Sequence, residues 1–493
     1  MSSEIQQLRE ALINTPPADS SFSQVSQSLE GSAVPINWVP PLSSASRDNV
    51  ESPPQPSHLS QSESTVSRGA SSAAYRSIGD VELTIGQVSE HFRTYFRRCH
   101  RHLSFELKTR DPDEIYSSSP LLFWAIIAAA SCWKVQSQLD NEVKTLVAAT
   151  LHSNRSIQTI QALLILGVWP FRISRLQEDP SHFYIGLASQ MCLQLGLHRP
   201  SQPYSHLGDR HEAMAGDAHI KSTTSLACFV VNQMQSSYLG VPSSILVDLN
   251  LIKSFDHPRV DSTLSQLCRI YHVLSQSCLA IAANGPTPSG LLAPDARLNM
   301  MKLCGEQLST LQAQYLGNMN DIVKTSFLYA RLQIWSFALL DDIPMSKELI
   351  EIIKCAEEDA CELIELCYGT NLSIGPYIVR QAMCYSAFVL ARILQCPYDT
   401  QREVLEDNIE RVCQAMSTTA STDNDIMRKV GPLLRALPYI EDKRRSPPIL
   451  SRMSASIVYD SIKMYWENMD ERNPDQGPYT LDFDGFDWDT LVL

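Results

Sequence analysis

The strongest constraint on this 493-residue chain is a succession of apolar residues recurring every three or four positions, broken by glycine, proline and asparagine. That period is one face of an α-helix. The two-residue alternation of a half-buried strand is scarce. The clearest stretch runs from Ser181 to Pro200, SHFYIGLASQMCLQLGLHRP. Tyr184, Leu187, Ala188, Met191, Cys192 and Leu195 line one face. Gly196 then offers a left-handed stop without a Cβ penalty, and Leu197 can fold back onto the last turn. His198 and Arg199 sit at the negative end of the helix dipole, and Pro200 forbids continuation. Taken by itself, this is a well-capped core helix.

The same period recurs along the chain. Helices are expected in Val81 to Leu107, Pro120 to Val135, Ser156 to Phe171 and Lys221 to Leu239, the last stopping at Gly240-Val241-Pro242. Six more are expected in Leu264 to Ile281, Leu298 to Tyr315, Ile322 to Leu340, Lys347 to Tyr368, Ile378 to Leu394 and Arg402 to Met416. A last one is expected in Leu450 to Met469. Pro120 to Val135 is apolar nearly all round, which places it centrally. The fold class is therefore all-α, a body of packed helical hairpins. Tyr204 to Gly216, with its histidines, reads as a loop.

Three of these segments resemble one family. Gly186, Leu187, Ala188, Met191, Leu195, Gly196, Leu197, His198 and Arg199 are similar to the most recognisable segment in the regulatory middle domain of fungal zinc-cluster transcription factors. Ser119 to Ala128, SPLLFWAIIA, resembles that domain's early buried helix. Leu226 to Asn232, followed by Leu239, Gly240, Val241 and Pro242, resembles its later helix ending in Gly-x-Pro. The three occur in the family's order, and the resemblance covers roughly residues 80 to 445. It is nearest to the amino-acid-, weak-acid- and protease-gene regulators. The family's common form carries aromatic residues and an arginine where this chain has Thr223, Thr224 and Ser225. That departure puts the transfer of inter-helix contacts there in doubt.

The family's zinc cluster needs six closely spaced cysteines, and residues 1 to 98 contain none. Zinc is thus implied by the resemblance while its ligands are absent here. The thirteen cysteines are scattered through apolar helical patterns and read as reduced core thiols of a nuclear or cytosolic protein. Cys355, Cys361 and Cys367 point to three faces of one helix and cannot chelate together. His211-Glu212 lacks the second histidine of a zinc-protease helix. No phosphate-cradling loop, dinucleotide glycine pattern or nucleophile elbow is present, so no enzyme is expected. The net charge of −14 argues against nucleic-acid binding through a general basic surface. Arg93, Arg97, Arg98 and Arg101 form the densest basic patch, readable as a solvated helix face or a phosphate contact. No apolar run reaches the length of a membrane span, so no membrane partner is expected.

The ends differ from the body. Ile5, Leu8 and Leu12 in residues 1–13 read as a short helix or disorder, or as the remnant of the family's dimerising coiled coil. Residues 14–79 are rich in Ser, Pro and Gln and are expected to be a disordered linker. The body is placed at 80–445, the terminal helix at 446–469 and a tail at 470–493. In that tail Asp482, Asp484, Asp487 and Asp489 alternate with Phe483, Phe486, Trp488 and Leu491. Acidic-hydrophobic alternation is the compositional sign of an activation domain. Repelling carboxylates keep the aromatics solvated until they dock in a coactivator groove.

The resemblance implies a nuclear regulator of RNA polymerase II genes, meeting a coactivator or mediator surface through its tail. It would form a homo- or heterodimer and reach DNA through a missing module or a partner. The rival reading is a helical interaction scaffold or small-molecule receptor. Asn232 and Gln233, inside an apolar helix, either bond a neighbouring helix or face a ligand cavity.

Overall fold

The computed structural model describes residues 75–153, 155–173, 178–199, 218–285, 287, 289–340, 345–420, 425–440 and 452–472. All lie in the compact unit from Ala70 to Leu493. Segment 1–13, most of the linker, the histidine loop and nearly all of the tail fall outside these residues.

The body opens on an antiparallel hairpin, β1 (Tyr75–Ile78) and β2 (Val81–Thr84), with Tyr75 opposite Thr84 and Ile78 opposite Val81. Its turn uses Gly79 at φ +53°. The hairpin spans the boundary expected at residue 79, and it was not anticipated. Thr84 then caps α1 (Ile85–Thr94): its side chain accepts from Gln87 N, and Gln87 Oε1 accepts from Thr84 N. The helix passes into a π-turn, Tyr95–Cys99, and a 3-10 turn, His100–His102. The extra residue of a π-turn rotates the face. Tyr95 is fully buried, whereas Phe96 is half-buried. Arg93, Arg97, Arg98 and Arg101 are all exposed.

The chain continues through α2 (Pro112–Ser118), α3 (Pro120–Ala130), α4 (Trp133–Ser153), α5 (Ile157–Val168) and α6 (Ser181–Gln194). Every residue of α3 after Pro120 is buried, as its all-round apolarity demands. α3 packs on α1 and α5, and α5 packs on α6, enclosing a first core around Phe123, Trp124, Leu164 and Ile185. Next come α7 (Ala218–Leu239), α8 (Leu249–Ser254), α9 (Ser262–Ala282), α10 (Pro294–Tyr315) and α11 (Asp321–Trp335). The body closes with α12 (Lys347–Tyr368), α13 (Tyr377–Gln395), α14 (Arg402–Thr419), α15 (Ile426–Ala436) and α16 (Ser456–Arg472). Consecutive pairs from α11 to α15 pack side by side and enclose a second core.

α7 is the wall between the two. Ala227, Cys228 and Val231 face the first core, and Leu226, Phe229, Val230 and Met234 face the second. A helix that is apolar on two faces needs a core on both sides.

Four helices had no counterpart in the periodicity. α2 and α8 are short. Among its described side chains, α4 buries only a thin stripe of Leu139, Val143 and Val147. α15 contains Gly431 and Pro432, which read as breakers. The terminal helix runs past residue 469 to Arg472, and Ile457 and Met464 join the second core. All thirteen cysteines are free thiols, eight of them buried. One described helix, α13, is long and apolar enough to cross a membrane, and it is buried inside the body.

Candidate functional site

Two of the segments that carried the resemblance finish at glycine helix stops. At the end of α6, Gly196 has φ +67°. Leu197 N donates to Cys192 O at 3.0 Å and Gly196 N donates to Leu193 O at 3.1 Å. These are the paired bonds of a Schellman stop, and Leu197 is buried. Arg199 lies 3.7 Å from Asp248, whose Oδ1 caps α8 by accepting from Leu251 N at 2.8 Å. Burial, with Arg199 beside it, lowers the His198 pKa. At the end of α7, Gly240 has φ +65°, and Val241 N donates to Ser236 O at 3.0 Å. A Cβ there would lie 2.0 Å from Arg452 O, so the next segment passes where only glycine leaves room. Pro242 follows in the loop leaving this stop.

Asn232 joins three elements. Its Nδ2 donates to Ser189 Oγ on α6 (3.3 Å) and to Ser244 Oγ (2.8 Å). Its Oδ1 accepts from Ser243 Oγ (2.8 Å) and Ser244 N (3.2 Å). It therefore bonds its neighbours and does not face a ligand. Thr223 and Thr224, the positions that depart from the family's common form, also bond across the fold, Thr223 to a loop and Thr224 to α5. Thr223 Oγ1 accepts from Glu106 N at 3.0 Å, and Gln161 Nε2 donates to Thr224 Oγ1 at 2.9 Å and to Glu106 O at 2.8 Å.

The strongest candidate site lies elsewhere. A cavity of about 380 Å³ opens between the α5–α6 connection, α13, the start of α15 and α16. α13 supplies Tyr377, Arg380, Gln381, Cys384, Tyr385 and Phe388. Those positions are three and four apart, one continuous helical face. α16 supplies Val458, Tyr459, Ile462, Tyr465 and Trp466 at the same spacing. Tyr238 at the end of α7 and Tyr329 of α11 complete the aromatic walls.

One end is charged. Arg380 Nη1 donates to Leu372 O and Gly375 O, both at 2.9 Å. Burial, and then the nearby Arg172, depress its pKa to about 10. Arg172 lies 3.9 Å from Asp425, which caps α15 by accepting from Met427 N at 3.0 Å. Burial pushes the Tyr377 phenol well above its usual range and the Cys384 thiol up to about 12, so both are neutral at physiological pH. Such a site can hold and orient a small molecule.

The sequence carried a signal for this face that went unused: a hydroxyl, a guanidinium and an amide at helical spacing on an otherwise apolar helix. Cys355, Cys361 and Cys367 all lie on α12, with only Cys367 fully buried. Among the described residues, no group of three His, Cys, Asp or Glu side chains could hold a metal. Phe483, Phe486, Trp488 and Leu491 lie outside the described residues, as do His206 and His211.

Residues 89–284 match the family described as Fungal specific transcription factor domain. The chain is 28% identical over 419 residues to "Transcriptional regulatory protein SEF1" of Candida albicans, covering 78% of this chain and 45% of that protein. It is 25% identical over 412 residues to "Putative transcription factor SEF1" of Kluyveromyces lactis, covering 78% and 37%. It is 23% identical over 294 residues to "Regulatory protein LEU3" of Saccharomyces cerevisiae, covering 54% and 33%. The chain spans less than half the length of these curated relatives. With this domain at residues 89–284 and alignment to such regulators over most of its length, the chain has the middle homology region of the fungal transcription factors.

Proposed function

We propose that this chain is the regulatory and activating portion of a fungal transcriptional regulator acting in the nucleus on RNA polymerase II genes. The observation that carries the reading is the fungal transcription factor domain at 89–284, with relatives named as transcriptional regulators. The helical body receives a signal, and residues 470–493 engage a coactivator or mediator surface through Phe483, Phe486, Trp488 and Leu491. Their alternation with aspartate supports the assignment. The 493 residues contain no run of six closely spaced cysteines, so DNA contact is assigned to another module, on a partner or on the same polypeptide. The role is non-enzymatic. Residues 14–74 act as the linker between such a module and the body.

The test is a reporter assay with the chain tethered to a heterologous DNA-binding domain in yeast. Activation is expected, and replacing Phe483, Phe486 and Trp488 together by alanine should abolish it. Unchanged activation in the triple variant would remove the tail from the mechanism. No activation by the intact chain under any growth condition would favour the receptor or scaffold reading, which the cavity beside α13 independently supports.

A further inference from the structure

The cavity between α13, α15 and α16 is rich in rings. Nine of its 25 described lining residues are Phe, Tyr or Trp, against 8% of the whole chain. The charged groups at its end are already engaged by the chain. Asp179 accepts from Ser181 N at 2.9 Å and from Ser181 Oγ at 2.5 Å. Arg172 faces Asp425, which also accepts from Met427 N. Two backbone carbonyls hold Arg380 through Nη1, and Lys429 is not free either. Arg380 Nε and Tyr377 Oη have no partner, but both are buried out of reach of the cavity. An ion entering here would leave water and find no unengaged countercharge.

The apolar groups, by contrast, are left partly open. Val458, Tyr459, Ile462, Tyr465 and Trp466 on α16 are each only half-buried, while Ile457 and Met464 on its core side are closed in. Met427 and Val430 on the α15 wall are also half-buried. The volume of about 380 Å³ lies at the small end of the range for ligand pockets, roughly 300 to 1,000 Å³. An α-helix about 10 Å across would fill it in a single turn, so a partner's helix does not fit. The chain's own tail sets aspartates beside Phe483, Phe486 and Trp488, and would carry charge onto apolar walls.

We propose that this cavity binds an uncharged small molecule with an aromatic or otherwise flat apolar body. Its rings lie against Phe388, Tyr459, Ile462 and Trp466, and aromatic neighbours favour such offset or edge contacts. Because α16 forms one whole wall, the ligand ties α16 to α13 and α15. This gives a chemical class to the signal that the helical body receives, and depends on that reading only for its purpose.

Fluorescence titration of the full chain tests this with anilinonaphthalene, a neutral dye that brightens in apolar surroundings. Its sulfonate, the same rings with one negative charge, is the counterpart. The neutral dye should bind saturably, the sulfonate about tenfold or more weakly, and amide exchange in α16 should slow on binding. Cys384→Phe, which fills the cavity from α13, should weaken the neutral dye by about tenfold or more. Ile462→Trp fills it from α16 and keeps the test valid if Cys384→Phe does not fold. Leu246 and Leu249 are the most exposed apolar pair elsewhere, at 92% and 63%, and replacing both by serine should change nothing. The proposal is overturned if the neutral dye does not bind saturably, if the sulfonate binds as well, or if folded filling variants bind as before. It is equally overturned if the double serine variant abolishes binding, or if exchange in α16 is unaltered. Binding only after deletion of residues 473–493 would also overturn it, making the chain's own tail the occupant. Binding is read without a promoter, so a negative result leaves the transcriptional reading standing.

Discussion

The two cores on either side of α7 treat their buried polar groups differently. In the first, Ser119 caps α3, Ser131 donates to Ile127 O at 2.6 Å, Ser189 donates to Ile185 O at 2.8 Å, and Gln161 bridges Thr224 and Glu106 O. Tyr95 Oη and Tyr377 Oη are buried there without a partner. In the second, polar groups gather at a few places and part of their capacity is unmet. Asp359 meets Arg331 Nε at 3.1 Å and Trp335 Nε1 at 3.0 Å, yet burial still raises its pKa to about 6. Arg380 and Gln333 each leave a buried nitrogen unpartnered. A core whose polar groups are satisfied locally is built for permanence. A core that leaves buried polar capacity unmet gives up stability at those places. The family match at 89–284 ends before α13, α15 and α16, so most of the cavity lies beyond it.

If that contrast is right, truncation should cost most in the first core. Trp124 is 1% exposed, and Trp124→Ala should lose about 3–5 kcal/mol in urea unfolding. Trp466→Ala at the cavity wall should cost less than about half of that, because Trp466 is only half-buried and already borders open space. Equal losses would erase the distinction.

Gly240 tests the seam between the cores. Gly240→Ala combines a left-handed backbone with a Cβ driven into Arg452 O, and should cost about 3 kcal/mol by the same measurement. A loss below about 1 kcal/mol would mean that the Arg452 segment can step aside at little cost.

The smallest effect is a pH dependence. Asp359 has its pKa raised from 3.8 to about 6, so the folded chain holds this proton more tightly than the unfolded chain does. Below the unfolded value both states are protonated and the site imposes no penalty. As pH rises towards the folded value, the ionised carboxylate becomes a cost. Wild type should therefore lose stability relative to Asp359→Asn between about pH 4 and pH 7, by about 1–3 kcal/mol. A difference that stays flat with pH would show that Arg331 fully offsets the burial.

Much of the fold was legible because local chemistry sets it. The glycine stops after α6 and α7 and the wholly buried α3 follow from side chains within a few residues of one another. The hairpin, α4 and α15 were not legible. Four-residue strands carry almost no period, α4 shows the core a thin stripe, and α15 accommodates Gly431 and Pro432 through its packing on α14. The π-turn at Tyr95 was hidden for a related reason, since one inserted residue shifts a face without altering composition. Asn232 was visible as a buried amide, but its choice of partners on α6 and the loop after Gly240 was not.

By itself, then, the sequence determined the helical class, the helix stops, and the three segments that align with a transcription factor domain. Backbone hydrogen bonding and the facing of side chains act over one or two turns, so they are written locally. Only the tertiary structure decided that Arg172, Tyr238, Arg380, Asp425 and Tyr459 surround one cavity. Those residues come from five separate segments. Which helical faces meet is fixed by the stacking of the whole body around α7, and no local period records it.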